Sequence, residues 1–491
     1  MRNRVWRLPG STVGLLASML AVPATAATVQ HDYRIEVSAD LAEMRVEARF
    51  AEPVHRIAAR DREAGDFLRS VEDCDTGDRL GNRGRRLSVP EEGVRCVEYV
   101  VDLQDAAEDE RRNRYLTDSN VAASPSKWLW RPSVDEDTEI RVRFALPDGI
   151  RIAVPWKPLN ELGTQFLVQA SPESANAPAV IGRFDYHELS VAGAILRVAL
   201  PDAEPAVDQE AVLRWIRATA TDVSLTYGRF PNPSPFVIVM PIASESRWSN
   251  SAVPFGRVIR DGGEAVELFV DQTRPLADYL GDWTATHEFS HLMVPYLNSQ
   301  ARWISEGFAQ YYQNVLLARS GAYDQELAWQ KIVSGLERGA ASQPGLSPNE
   351  ATTRGRRGAR MKVYWSGAAL ALMADVELRA RSDGRESLDT VLDDLQACCL
   401  PSEKVWSGIE FFTQLDARLD EPVFMPLYEQ YADRAGFPNP NGTLSRLGVR
   451  KEPLGIGLDD RAELAAIRNE IMQRDAAVAA WRQGLTSATI D

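Results

Sequence analysis

The chain reads as an α+β protein in which an N-terminal all-β domain precedes a mainly α-helical domain holding a small β-sheet. Three observations predict this. Between residues 29 and 200, short segments alternate polar and apolar residues, as in Tyr33-Arg34-Ile35-Glu36-Val37 and Ile140-Arg141-Val142-Arg143-Phe144, with turn clusters between them. Such a period of two marks half-buried strands. From Asp208 onward the apolar residues Val212, Leu213, Trp215, Ile216 and Ala218 recur at helical spacing instead. The third observation is residues 286–309, THEFSHLMVPYLNSQARWISEGFA, where a helix presents two histidines four residues apart. The second region is organised around that stretch.

Length and composition bound the rest. With 491 residues, 44% hydrophobic and 25% charged, the chain can build a large core divided into two or three domains. A net charge of −15 argues against a nucleic-acid partner. The one basic stretch, RGRRGARMK at residues 354–362, can face an anionic substrate group or stand as a solvated loop.

At the start of the chain, Arg2, Arg4 and Arg7 precede an apolar run over residues 13–22, and Ala24-Thr25-Ala26 offers small residues at cleavage positions. Residues 1–26 therefore read as a secretory signal peptide, cleaved near Ala26. The run is about half of the ~20 residues that span a bilayer. A soluble periplasmic or secreted protein, without stable membrane insertion, is expected. In an oxidising compartment Cys74 and Cys96 are expected to form a structural disulfide. Cys398 and Cys399 are adjacent, and such neighbours seldom pair because the ring is strained. They can be free and buried, or bonded.

Taken in order, residues 27–200 form the β domain, where His31, His55 and His187 read as surface or packing residues. Residues 201–448 form the second domain, opening with the helix after Asp208 and a buried strand at residues 236–240. A further strand is expected at residues 264–270. Next comes the histidine helix, apolar nearly all round and therefore interior. On it, His287 and His291 share one face and can point both imidazoles at one ion. Glu288 falls beside the ion, where it can accept a proton from a water. Pro295 stops the helix near Met293 or Val294, and Ser305 is the expected N-cap of the next. About ten intervening residues at ~3.3 Å each reach roughly 30 Å, enough to bring Glu306 back as a third ligand. Two His and one Glu leave a fourth position open, the arrangement of a catalytic rather than a structural zinc site. Only five His occur in the chain, and two lie in this motif. Beyond residue 395 short helices are expected, and after the turn at residues 438–442 the tail, 449–491, reads as one amphipathic helix around residues 461–481.

HEFSH followed by WISEGFAQYY resembles the gluzincin metallopeptidases, whose pattern is HExxH and then a Glu within W-x-x-E-G-F. The resemblance is closest to the glycyl aminopeptidase family, with the aminopeptidase N and leukotriene hydrolase group more distant. A second match is Val363-Tyr364-Trp365-Ser366-Gly367 with the apolar helix after it and the Ser387-Leu388-Asp389 segment. The resemblance implies a thermolysin-like catalytic domain, one zinc ion per chain, a peptide or protein substrate, and Tyr364 as the residue that hydrogen-bonds the oxyanion. It also implies an edge strand just before the zinc helix, assigned here to residues 264–270, that pairs with extended substrate. Fourteen residues separate His291 from Glu306, fewer than in the aminopeptidase N group. No Gly-x-Met-Glu-Asn segment is present; Gly262, Gly263 and Glu264 sit at about the corresponding distance and are the candidates for holding a substrate amino terminus.

The sequence thus predicts an exported zinc peptidase, aminopeptidase-like, with Glu288 as general base. Its rivals are an inactive binding or scaffold protein of the same fold and a zinc hydrolase acting on another bond.

Overall fold

The structure, a computed structural model, describes residues 29–108, 117, 119–133, 138–168, 177–203, 206–242, 250–260, 264–354, 358–402, 404–453 and 455–487. The expected signal peptide and the candidates Gly262 and Gly263 lie outside the described residues.

In the N-terminal region the alternation seen in the sequence becomes a seven-stranded sheet. Its spatial order is Lys157–Pro158, Gln165–Val168, Thr138–Ala145, Val29–Val37, Glu43–Val54, Val94–Asp102, Leu68–Asp73. Tyr33, Ile35 and Val37 point into the core while Arg34 and Glu36 face out. Ile35 lies opposite Val46 on one side and Phe144 on the other. Trp128, Trp130 and Trp156 fill the space beneath the sheet. Cys74 and Cys96 form the expected disulfide.

The second region is built on a five-stranded sheet. Its strands are β1 (Phe184–Val191), β2 (Ala194–Pro201), β3 (Phe236–Ile242), β4 (Phe255–Ile259) and β5 (Ala265–Asp271), in the order β1-β2-β3-β5-β4. The hairpin β1-β2 ends at residue 201 yet pairs with β3, so this sheet draws strands from both sides of the expected domain boundary. Strand β3 reads FVIVMPI and is a central strand covered on both faces, which is why its sequence is a continuous apolar run. Burying each such Val or Ile contributes about 1.5–3 kcal/mol. The expectation of an edge strand at residues 264–270 is corrected: β4 pairs antiparallel with β5 and takes the edge itself. The run Phe255-Gly256-Arg257-Val258-Ile259 is too short and too half-buried to stand out by alternation.

Helix α1 (Gln209–Ser224), capped by the Asp208 side chain, packs under the sheet. The helices that frame the site and its surroundings are α2 (Thr284–Ser290), α3 (Arg302–Arg319), α4 (Gln325–Ala341), α5 (Arg360–Ser382), α6 (Leu388–Cys399), α7 (Gly408–Asp416) and α8 (Phe424–Tyr431). Helices α3 and α5 cross through glycines: a Cβ added to Gly307 would lie 2.1 Å from the Gly367 Cα. The crossing sets the turn carrying Glu306 beside the turn carrying Tyr364. Below it, Asp375 accepts from the Tyr311 hydroxyl (2.7 Å), Arg379 Nε (3.0 Å) and the Leu388 amide (2.9 Å), while Asp389 accepts from Tyr312 and Arg319. The downstream segment that resembles the glycyl aminopeptidases is thus an internal polar brace joining α3, α5 and α6.

Cys398 and Cys399 are bonded to each other at the end of α6. The C-terminal expectation of one helix is corrected to a hairpin, Val449–Glu452 with Gly455–Leu458, and two helices, α9 (Ala465–Ile471) and α10 (Ala476–Ser487). The break comes because Asp475 turns to cap the Val478 amide, and its own amide donates to the Arg319 carbonyl. Arg482 on α10 reaches the buried Asp222 of α1 at 2.8 Å and the Leu280 carbonyl. No helix among the described residues is long and apolar enough to cross a membrane.

Candidate metal centre

Helix α2 runs only to Ser290, then tightens into a 3₁₀ turn over His291–Met293 that ends at Val294, immediately before Pro295. His287 and His291 stay on one face, their ring centroids 4.9 Å apart and their planes perpendicular. Glu306 lies in the second turn of α3, since that helix begins at Arg302. Glu306 Oε2 lies 3.5 Å from His287 Nε2 and 3.6 Å from His291 Nε2. One ligand atom from each of the three falls within 4.8 Å of the others, and all three residues are buried.

The other side of each ligand is held by a neighbour. His287 Nδ1 lies 3.0 Å from Gln313 Oε1, and His291 Nδ1 lies 3.0 Å from Ser305 Oγ. A proton on each Nδ1, donated to those oxygens, directs the Nε2 lone pairs toward Glu306. Glu306 Oε1 accepts from Arg302 Nε at 3.0 Å and Nη2 at 2.8 Å, which leaves Oε2 for an ion. Burial lowers the His291 imidazole to about 4, so it is neutral near pH 7, the form that binds a metal. Two oriented imidazoles, one carboxylate and a sheltered pocket are the donor set zinc prefers.

Ser305 is not the helix cap expected from the sequence. Helix α3 starts three residues earlier, after Ala301, and Ser305 points from inside it at His291. Gln313 was not singled out in the sequence, although it lies seven residues past Glu306, two turns along the same helix. Such an amide at two-turn spacing from a ligand is the signal that could have found it.

Glu288 is buried next to these ligands, and burial, with the nearby Glu306 charge, raises its carboxyl to about 7 against the opposing pull of His287. Its side chain lies against the edge strand: a Cβ added to Gly256 of β4 would come within 2.5 Å of Glu288 Cγ. The Tyr364 ring stacks on His287 at 5.7 Å, and burial followed by the Glu306 charge pushes its phenol up, which keeps it a neutral donor. Glu264 lies outside this group. One of its oxygens accepts from Arg260 Nε at 2.9 Å and the other from Asn232, and Arg260 in turn donates to the carbonyls of His291 and Val294. Glu264 therefore braces the end of the histidine helix.

The family model described as M61 glycyl aminopeptidase matches residues 295–366, a span that includes Glu306 and Tyr364 and begins after the histidine pair. Among solved structures, an aminopeptidase N family protein from Idiomarina loihiensis is similar with a TM-score of 0.63 at 15% identity, over 85% of this chain and 78% of that one. A mutant M1 zinc metallopeptidase from Deinococcus radiodurans, bound to a Tyr-Ser-Ala substrate, is similar with a TM-score of 0.50 at 14% identity, over 84% of this chain and 96% of that one. No curated protein matches the chain in sequence. The fold is that of the M1 aminopeptidases, and with the glycyl aminopeptidase match across the Glu306 and Tyr364 segments the chain is gluzincin-like and aminopeptidase-like.

Proposed function

We propose that the protein is an exported zinc-dependent peptidase acting on peptide or protein substrates, with His287, His291 and Glu306 as metal ligands. The observation that carries this reading is the convergence of those three buried donors beside Glu288, under an edge strand with no strand paired to its outer side among the described residues. A zinc ion held there supplies Lewis acidity to a substrate carbonyl and to a water. Glu288 takes the proton from the attacking water and passes it to the departing amine. Tyr364 donates its hydroxyl proton in a hydrogen bond to the carbonyl oxygen as negative charge gathers there. The backbone of β4 offers hydrogen bonds to an extended peptide and holds it over Glu288 with little regard to side chains.

A peptide-library digest read by mass spectrometry, with and without chelator, tests the reading. Chelator-sensitive, zinc-restored cleavage is the expected result. A zinc-loaded protein that leaves every peptide intact would end it.

A further inference from the structure

Two arginines stand at the mouth of this site, each at the first residue of its helix: Arg302 on α3 and Arg360 on α5. Arg302 gives Nε and one Nη to Glu306, yet its side chain is 65% exposed, so the rest of the guanidinium faces outward. It interacts with Tyr364 and with Tyr296, an exposed aromatic on the segment between α2 and α3. Arg360 is exposed and lies over the Tyr364 ring, its guanidinium carbon 5.5 Å from the ring centroid. No carboxylate among the described residues forms an ion pair with Arg360. The Tyr364 ring thus touches both the His287 ring and the Arg360 guanidinium, so the cation is separated from the candidate metal ligands by one aromatic side chain. The whole protein carries a net charge of −15, so this pair of cations beside the acidic ligand set is a local departure from its overall charge.

We propose that Arg360, assisted by the outward edge of Arg302, binds a substrate carboxylate close to the scissile bond, so that the site prefers peptides carrying an anionic group there. This rests on the peptidase reading. A guanidinium recognises a carboxylate through paired N–H donors, and an aromatic face beneath it fixes its plane. The carboxylate has two sources, an acidic side chain or a free peptide C-terminus. Exposed arginine pairs contribute modestly in water, and the Tyr364 ring beneath the Arg360 guanidinium adds a cation–π contact that fixes its position.

The test uses zinc-loaded Glu288→Gln protein and three short alanine peptides: one C-terminally amidated, one with a free C-terminus, and one amidated with a single Glu. Binding is followed by calorimetry, and hydrolysis of the same peptides by the unsubstituted enzyme. One or both of the carboxylate peptides should bind about tenfold tighter than the neutral peptide, and which one does so identifies the source. Arg360→Glu should abolish or invert that ratio. Its helix should be retained, since glutamate is favourable in a first turn, and circular dichroism checks this. Binding of all three peptides within twofold, no binding of any, or a ratio unchanged in Arg360→Glu overturns the proposal. Cleavage of all three with equal efficiency sinks it while the peptidase reading stands. A retained binding ratio with no cleavage of any peptide supports carboxylate recognition and removes the peptidase reading instead.

Discussion

Gly256 and Glu288 are in contact that tolerates no added atom: a Cβ on the strand residue would come within 2.5 Å of the Glu288 Cγ and 3.2 Å of its Oε1. The edge strand therefore sets the position of Glu288, the proposed general base. Gly256→Ala should push the Glu288 carboxylate aside without altering the ligands on the far side. Displacement of a catalytic group by about 1 Å can lower rate by about 10²-fold. The expected outcome is a fall of that size in kcat/KM with zinc content unchanged by elemental analysis.

Glu288→Gln removes the proposed base and leaves His287, His291 and Glu306 untouched. Zinc should bind at one equivalent per chain, while hydrolysis falls by about 10²- to 10⁴-fold. An active variant would assign proton transfer to another group.

Arg302→Gln and Gln313→Ala act one layer out from the ion. Each frees a ligand atom on the side away from the metal, where such partners are worth about 10- to 100-fold in metal affinity. Competition against a fluorescent chelator should show weaker zinc retention in both variants, while thermal melts of the zinc-free forms change little. Equal retention in all three proteins would mean that packing alone orients the ligands.

Tyr364→Phe keeps the ring stacked on His287 and loses the hydroxyl. A single oxyanion donor is worth about 2.7–4 kcal/mol, so kcat should drop about 10²- to 10³-fold with KM nearly constant. A variant within about threefold of the parent would place oxyanion stabilisation elsewhere.

The histidine pair, Glu288 and Glu306 were readable because a helix repeats at fixed spacing and metal ligation requires specific residue types. Position within the helix was less readable. Ser305 carries the chemistry of a cap, but α3 starts earlier, at Arg302, and a propensity cannot anticipate that the same hydroxyl is needed by His291. The sheet edge was misassigned because β4 is five residues long and paired on one side only, so no alternation marks it. Gly256 has no side chain to announce a contact, and its role exists only once Glu288 is folded against it. The break between α9 and α10 likewise depends on the Arg319 carbonyl, more than a hundred residues away in sequence, accepting from the Asp475 amide.

The bond between Arg482 and Asp222 ties the last helix to one formed 260 residues earlier. Asp222 is fully buried, and Arg482 is its only cationic partner among the described residues. Trimming the chain before α10 would strand a carboxylate in the interior, and removing one partner of a buried pair typically costs about 3–5 kcal/mol. The C-terminal segment is in that sense a keystone: proteolysis there should loosen α1 and the sheet above it, although the cut lies far along the chain from the histidine helix.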